Sequence, residues 1–182
     1  MKVSYLFLAD GFEEIEALTV VDMLRRAGVE LRTVAIAGDK TVTGAHGIPV
    51  TADALLCDTN PADALWLILP GGMPGARNLS ECAPLVEALK VHVAAGAPVA
   101  AICAAPFVLG VNGLLAGRAA TCYPGFEHLL AGATVTGRMV ECDGNIVTGK
   151  GPAAAADFAS EIIRLTLGDD AAAEVRRGML LD

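Results

Sequence analysis

The feature that most constrains this chain is a repeated local pattern. Short apolar runs are each cut off by Gly, Pro, Asp or Cys and then followed by residues of helical periodicity. Residues 3–8 form the first run and stop at Asp10-Gly11. A helical pattern follows over about 13–27, with Ala17, Val20, Val21 and Leu24 on one face and Gly28 as its stop signal. Further runs cover 31–37 (closed by Gly38), 65–69 (closed by Pro70-Gly71-Gly72) and 98–102 (closed by Cys103). Helical stretches are expected at 85–95, 104–111, 153–167 and 171–177. Residues 41–52, broken by Gly44, Gly47 and Pro49, suit a small hairpin. Strand pieces near 119–121, 135, 139–140 and 146–147 fall in a glycine-rich region.

Strands apolar on both faces need cover on both faces, and strand–helix alternation delivers it through parallel crossovers. The expected fold class is therefore α/β: one doubly wound, mostly parallel sheet with helices on both faces. No linker, repeat or shift in composition divides the 182 residues, so 1–182 is expected to form a single domain.

Charge narrows the partners. Thirteen basic against 21 acidic residues leave a net charge of -8, which repels phosphate backbones and anionic lipid. Nucleic acid and membrane surfaces are thus not expected partners. Residues 91–117 lack charged side chains and are long enough to span a bilayer, but four glycines and two prolines interrupt them, which suits buried protein instead. The apolar run at residues 3–9 is short for a signal-peptide core and meets Asp10 at once, so a cytoplasmic location is expected. The five cysteines include no CxxC pair, and no His lies at ligand spacing from them. No metal site is expected, and the thiols should be reduced and mostly packed.

Ligands of doubly wound sheets gather beyond the carboxyl ends of the strands. Residues 11–16, 70–75 and 103–106 should converge there. Cys103 ends a buried strand between small neighbours, Ala101 and Ala104, where an abrupt strand-to-helix turn would project a thiol under helix N–H groups that favour its anion. A packed core cysteine fits the same residues. Glu16 lies in the first turns of the first helix with Val20 and Met23 along its flank. It is either a desolvated acid able to hydrogen-bond a thiolate or a simple complement to the helix dipole, with Glu13 and Glu14. Gly71 and Gly72 can bring backbone amides close to a developing oxyanion, or merely make a tight turn; the segment matches neither GxxxxGK[ST] nor GxGxxG.

Taken together, Asp10-Gly-Phe-Glu-Glu-Ile-Glu-Ala17, Leu69-Pro-Gly-Gly72, Gly75-Ala-Arg-Asn-Leu79, Ala101-Ile-Cys-Ala-Ala-Pro106 and Gly149-Lys-Gly-Pro152 resemble the ThiJ/PfpI superfamily, most closely its DJ-one/YajL branch. The resemblance implies a flavodoxin-like sandwich, usually homodimeric. It implies Cys103 as the reactive cysteine, Glu16 as its protonated partner, and Gly72 and Ala104 as oxyanion-hole amides. It also implies cofactor-free chemistry: conversion of methylglyoxal or glyoxal to hydroxyacids, removal of early glycation adducts from proteins, and protection against oxidative stress. A redox sensor or chaperone acting through oxidation of Cys103 is the alternative. One position departs from the pattern and another matches it loosely. Tyr123 stands where many relatives carry His, and His46 corresponds roughly to a basic hairpin residue of some relatives. Ala104, in place of the His that follows the cysteine in the peptidase-like branch, argues against a Cys-His protease. Cys122, beside Tyr123, is a packed residue or a resolving thiol.

Overall fold

The computed structural model describes residues 2–181. The chain opens with β1 (Ser4–Leu8), α1 (Glu14–Arg26) and β2 (Leu31–Ala35), followed by a hairpin of β3 (Thr41–Thr43) and β4 (Pro49–Thr51). Next come the short β5 (Ala54–Leu55), β6 (Leu67–Leu69), α2 (Gly75–Glu81), α3 (Ala83–Ala94), β7 (Val99–Ile102) and α4 (Pro106–Val111). The last third holds β8 (Ala119–Ala120), β9 (Thr134–Val135), β10 (Val140–Asp143), β11 (Ile146–Gly149), α5 (Ala155–Leu167) and α6 (Asp169–Gly178).

Seven strands form one sheet in the order β10-β11-β7-β6-β1-β2-β5. All neighbours are parallel except the edge hairpin β10–β11. The order reverses between β1 and β6, so the loops after β1, β6 and β7 meet at one switch point. Every residue of β1, β6, β7 and β11 is buried, as expected for strands covered on both sides. Alternation then divides them between two cores. Leu6, Leu8, Ile68, Ala100 and Ile102 pack with Val20, Leu24, Phe158 and Ile162 of α1 and α5. Tyr5, Phe7, Leu67, Leu69, Val99 and Ala101 pack with Leu79, Leu85, Leu89 and Val108 of α2–α4.

The α/β architecture expected from the sequence is thus what forms, with three differences in detail. Residues 75–81 are helical, where only a tight turn ahead of a helix at 85 was expected; Pro84 in the first turn of α3 marks the break between the two helices. Ala54–Leu55 adds an edge strand beside β2. The run near 119–121 pairs with β9 in a separate two-stranded ladder rather than joining the main sheet. Among the described residues, no helix is long and apolar enough to cross a membrane.

Candidate active site

β7 delivers Cys103 to the switch point. Its φ of 65° places it in the left-handed region, which costs an L-residue about 1–2 kcal/mol. The surrounding backbone holds it there. The Cys103 N–H donates to the Gly149 carbonyl at 2.8 Å, and its carbonyl accepts from the Tyr123 N–H at 2.8 Å. Only 9% of the residue is exposed.

Glu16 comes from the first turns of α1 and is fully buried. Its Oε2 accepts the Gly71 N–H at 2.8 Å, while Oε1 is buried without a hydrogen-bond partner of good geometry. The thiol and the carboxyl meet over Gly71. A β-carbon at that glycine would lie 2.6 Å from Cys103 Cβ, 2.7 Å from Glu16 Oε2 and 2.9 Å from the Ile102 carbonyl. Any side chain at position 71 would therefore separate the pair.

Burial pushes the Glu16 carboxyl up to about 7, against the opposing hydrogen bonds from Cys103 and Gly71, and the nearby Glu13 adds to the rise. Burial likewise pushes the Cys103 thiol up to about 12, reinforced by the charge and acceptor oxygen of Glu16; the Gly72 and Ala104 amides pull the other way. The amides at the start of the following turn favour the anion, but they are outweighed. The following helix, α4, has only six residues, and the dominant influences are desolvation and an anionic neighbour. The two groups titrate as a pair. When Glu16 holds its proton, both of its contributions against the thiolate disappear, and the two amides face the sulfur unopposed by a neighbouring charge.

Glycines bring the neighbouring turns together. Gly72 (φ 86°) presses against the Glu13 amide and the Gly11 carbonyl so tightly that a β-carbon would overlap them. The turn after β1 is thereby locked to the turn after β6, with the Glu13 N–H donating to the Gly71 carbonyl at 3.0 Å.

The secondary candidates separate. Tyr123 is tied to Cys103 through backbone, but its side chain is 47% exposed and lines a shallow cavity of about 200 Å³ with Pro124, Met139 and Lys150. His46 sits in the β3–β4 turn. Its backbone N–H donates to Glu14 Oε1 at 2.8 Å, and its Nδ1 lies 2.8 Å from Glu14 Oε2. The Glu14 hydrogen bond, with the charge of Glu13 and Glu14, holds the imidazole above its ordinary value. Glu14 itself is 5% exposed. Burial opposes its ionisation, yet the hydrogen bonds from His46 and from its own amide keep it below the usual carboxylate range. Glu13, Glu14 and His46 are, among the described residues, the group of three side chains with donor atoms close enough to share a cation. The sequence suggested no such group. Its signal was Gly44, where a β-carbon would overlap the Glu14 carboxyl.

Cys122 is buried, and burial together with Glu127 pushes its thiol up to about 11, which suits a packed residue better than a resolving thiol. The expectation of mostly packed thiols holds for Cys103 and Cys122 only; Cys57 is exposed, and Cys82 and Cys142 are half-buried. A cavity of about 550 Å³ lies beyond β2 and β5 beside Cys57 and Cys82, and neither Cys103 nor Glu16 lines it. Chemistry, not volume, marks the candidate site.

The protein dj-1beta of Drosophila melanogaster is 31% identical over 182 residues, covering 99% of this chain and 97% of the relative. The Parkinson disease protein 7 homolog of Danio rerio is 34% identical over 186 residues, again covering 99% and 97%. The protein DJ-1 homolog B of Arabidopsis thaliana is 40% identical over 170 residues, which cover 92% of this chain but only 39% of the plant protein. The chain thus spans less than half the length of the plant relatives it matches. A crystal structure of a cysteine-to-alanine mutant of a DJ-1 superfamily protein from Salmonella typhimurium superposes with a TM-score of 0.93 at 34% identity, covering 99% of this chain and 98% of that one. Oxidized Toxoplasma gondii DJ-1 also gives 0.93, at 33% identity over 99% and 98%. Residues 1–165 match the DJ-1/PfpI family model, and this chain belongs to the DJ-1/PfpI family.

Proposed function

We propose that the protein is a cofactor-independent, cysteine-dependent glyoxalase and protein deglycase, acting on methylglyoxal, glyoxal or their early protein adducts. The observation that carries this reading is the meeting of Cys103 and Glu16 over Gly71, with the Gly72 and Ala104 amides directed at the sulfur. A Caenorhabditis elegans relative named glutathione-independent glyoxalase DJR-1.2 is 33% identical over 168 residues, covering 87% of this chain and 84% of that protein.

The reaction needs no net redox change. The Cys103 thiolate adds to the aldehyde carbon, and the carbonyl electron pair moves to oxygen, where the two amides stabilise it. Glu16 supplies the proton that neutralises this oxyanion. As a carboxylate it then removes the proton from the former aldehyde carbon, and the resulting enediol is reprotonated at the adjacent carbon to give a thioester. Water hydrolyses the thioester to the 2-hydroxyacid and returns the thiol. A carboxyl pushed up to about 7 suits both directions of proton transfer near neutrality. The direct test is lactate formation from methylglyoxal by purified protein. Turnover absent in the wild type, or unchanged in Cys103→Ala, overturns the proposal.

Tyr123 favours a second reading. Its side chain faces solvent, and no imidazole assists at that position. In this reading Cys103 is a redox sensor or chaperone switch: two equivalents of hydrogen peroxide oxidise the thiol to a sulfinic acid and leave as water. Intact mass after peroxide titration distinguishes the two, since sensing requires a stable gain of two oxygens at Cys103 before the other cysteines react. The same proposal includes a cytoplasmic homodimer. Exposed Ile15 and Leu18 on α1 and Ile48 in the adjoining hairpin offer apolar surface for a second copy.

A further inference from the structure

We propose that the cavity beyond β2 and β5 is a second ligand site, for an uncharged α,β-unsaturated carbonyl compound with an apolar tail, which the Cys57 thiol captures by conjugate addition.

Three separate segments enclose the space. Residues 36–38 follow β2, Leu55 to Cys57 end and follow β5, and Cys82 to Ala88 open α3. β2 and β5 run parallel, so both direct their carboxyl ends toward it, the side of a doubly wound sheet on which ligands gather. Ile36, Leu56 and Cys82 are half-buried and pack on the core, which gives the cavity a fixed apolar floor. The wall at residues 56–59 is braced by its own turn: the Leu56 carbonyl accepts the Thr59 N–H at 3.1 Å and the Thr59 hydroxyl at 2.7 Å. None of the lining residues belongs to the α1 and hairpin surface offered to a second copy.

Volume and lining define the class of ligand. A space of about 550 Å³ falls within the range of about 300–1,000 Å³ that small-molecule sites occupy. The chain carries 13 basic and 21 acidic residues, yet among the described residues that line the cavity none is charged. An ionic ligand would shed its hydration there without a counter-charge, so a neutral, mostly apolar molecule fits. The Thr59 hydroxyl already donates to Leu56, and the other lining side chains that carry a heteroatom are two thiols, Cys57 and Cys82. A thiol is a soft, polarisable nucleophile, and the uncharged electrophile that matches it is a carbon–carbon double bond conjugated to a carbonyl. Cys57 is exposed whereas Cys82 is half-buried, so the reacting end meets Cys57 and the tail lies along Ile36, Leu55 and Leu56. The step needs no oxidant. The Cys57 sulfur bonds to the β-carbon, the double-bond pair moves to the carbonyl as an enolate, and the thiol's proton ends on the α-carbon.

The full chain is treated with crotonaldehyde or with trans-2-nonenal, adducts are located by intact mass and peptide mapping, and each rate is divided by that of glutathione with the same enal. The readout is adduct formation and not lactate, so it stands or falls apart from the glyoxalase reading. The expected result is a first adduct at Cys57, one per chain, with a relative rate at least about tenfold higher for nonenal and saturating with its concentration. Ala88→Phe, which fills the cavity from α3, should remove that advantage while the crotonaldehyde rate stays near wild type. The wild-type comparison of the two enals decides the matter even where this variant misfolds. Equal relative rates for the two enals, a first adduct at any other cysteine, a nonenal rate that rises without saturation, or an advantage that persists in folded Ala88→Phe would each overturn the assignment.

Discussion

Replacing Glu16 with glutamine isolates the energetic cost of ionising the buried carboxyl. Gln keeps an acceptor for the Gly71 N–H and a donor toward the thiol, so it mimics the neutral acid in shape and hydrogen bonding. In the unfolded chain Glu16 loses its proton near 4.5, and in the folded chain at about 7. Between those values the folded state holds more protons than the unfolded state, so its stability falls as pH rises. At about 1.4 kcal/mol per pH unit, the wild type gives up about 3 kcal/mol by pH 8. The glutamine variant has no such slope. Denaturant unfolding at pH 4.5 and pH 8 should show the variant gaining about 3 kcal/mol on the wild type across that interval. A difference between the two proteins that stays constant to within about 0.5 kcal/mol would refute the buried, proton-retaining acid. In the same variant, thiol alkylation at Cys103 should begin at lower pH, because the neighbouring charge is gone, while lactate formation should be lost.

Three further outcomes follow from the geometry. Gly71→Ala should destabilise the protein by about 1–3 kcal/mol and abolish turnover, because its β-carbon meets both Cys103 and Glu16; thermal melts and the lactate assay check this together. Phe158→Ala, deep in the α1–α5 core, should cost about 3–5 kcal/mol in denaturant unfolding while activity per folded molecule stays near wild type. Light scattering should give twice the chain mass, and charged substitutions at Ile15 and Leu18 should halve it if α1 forms the contact.

Much of the fold was legible because burial on both faces of the strands leaves long apolar runs, and Gly or Pro punctuates their ends. β1, α1, β7 and α5 appear within about two residues of where periodicity places them. α2 was not legible: seven residues holding Gly75 and a single buried leucine, Leu79, carry too little periodicity to register. β5 is two residues long and owes its existence to its neighbour β2. Within the site, local context left Cys103 open between a reactive and a packed thiol and Glu16 between a buried acid and a complement to the helix dipole; only the ordered motifs taken together singled them out. The thiol's resistance to ionisation was not legible, because it depends on burial and on a carboxyl 87 positions away in sequence. Glu14 was hidden for a related reason. Nothing in the first turn of α1 distinguishes a buried acid gripping His46 from an exposed one complementing a dipole.

The glycines at 11, 71, 72 and 75 have a consequence for adaptation. Gly72 and Gly75 meet the facing turn through main chain and Gly71 meets Cys103 and Glu16 themselves, so substitution there evicts the chemistry instead of retuning it. Changes in which small molecules enter must then fall to the periphery, to exposed positions such as His46 and Tyr123.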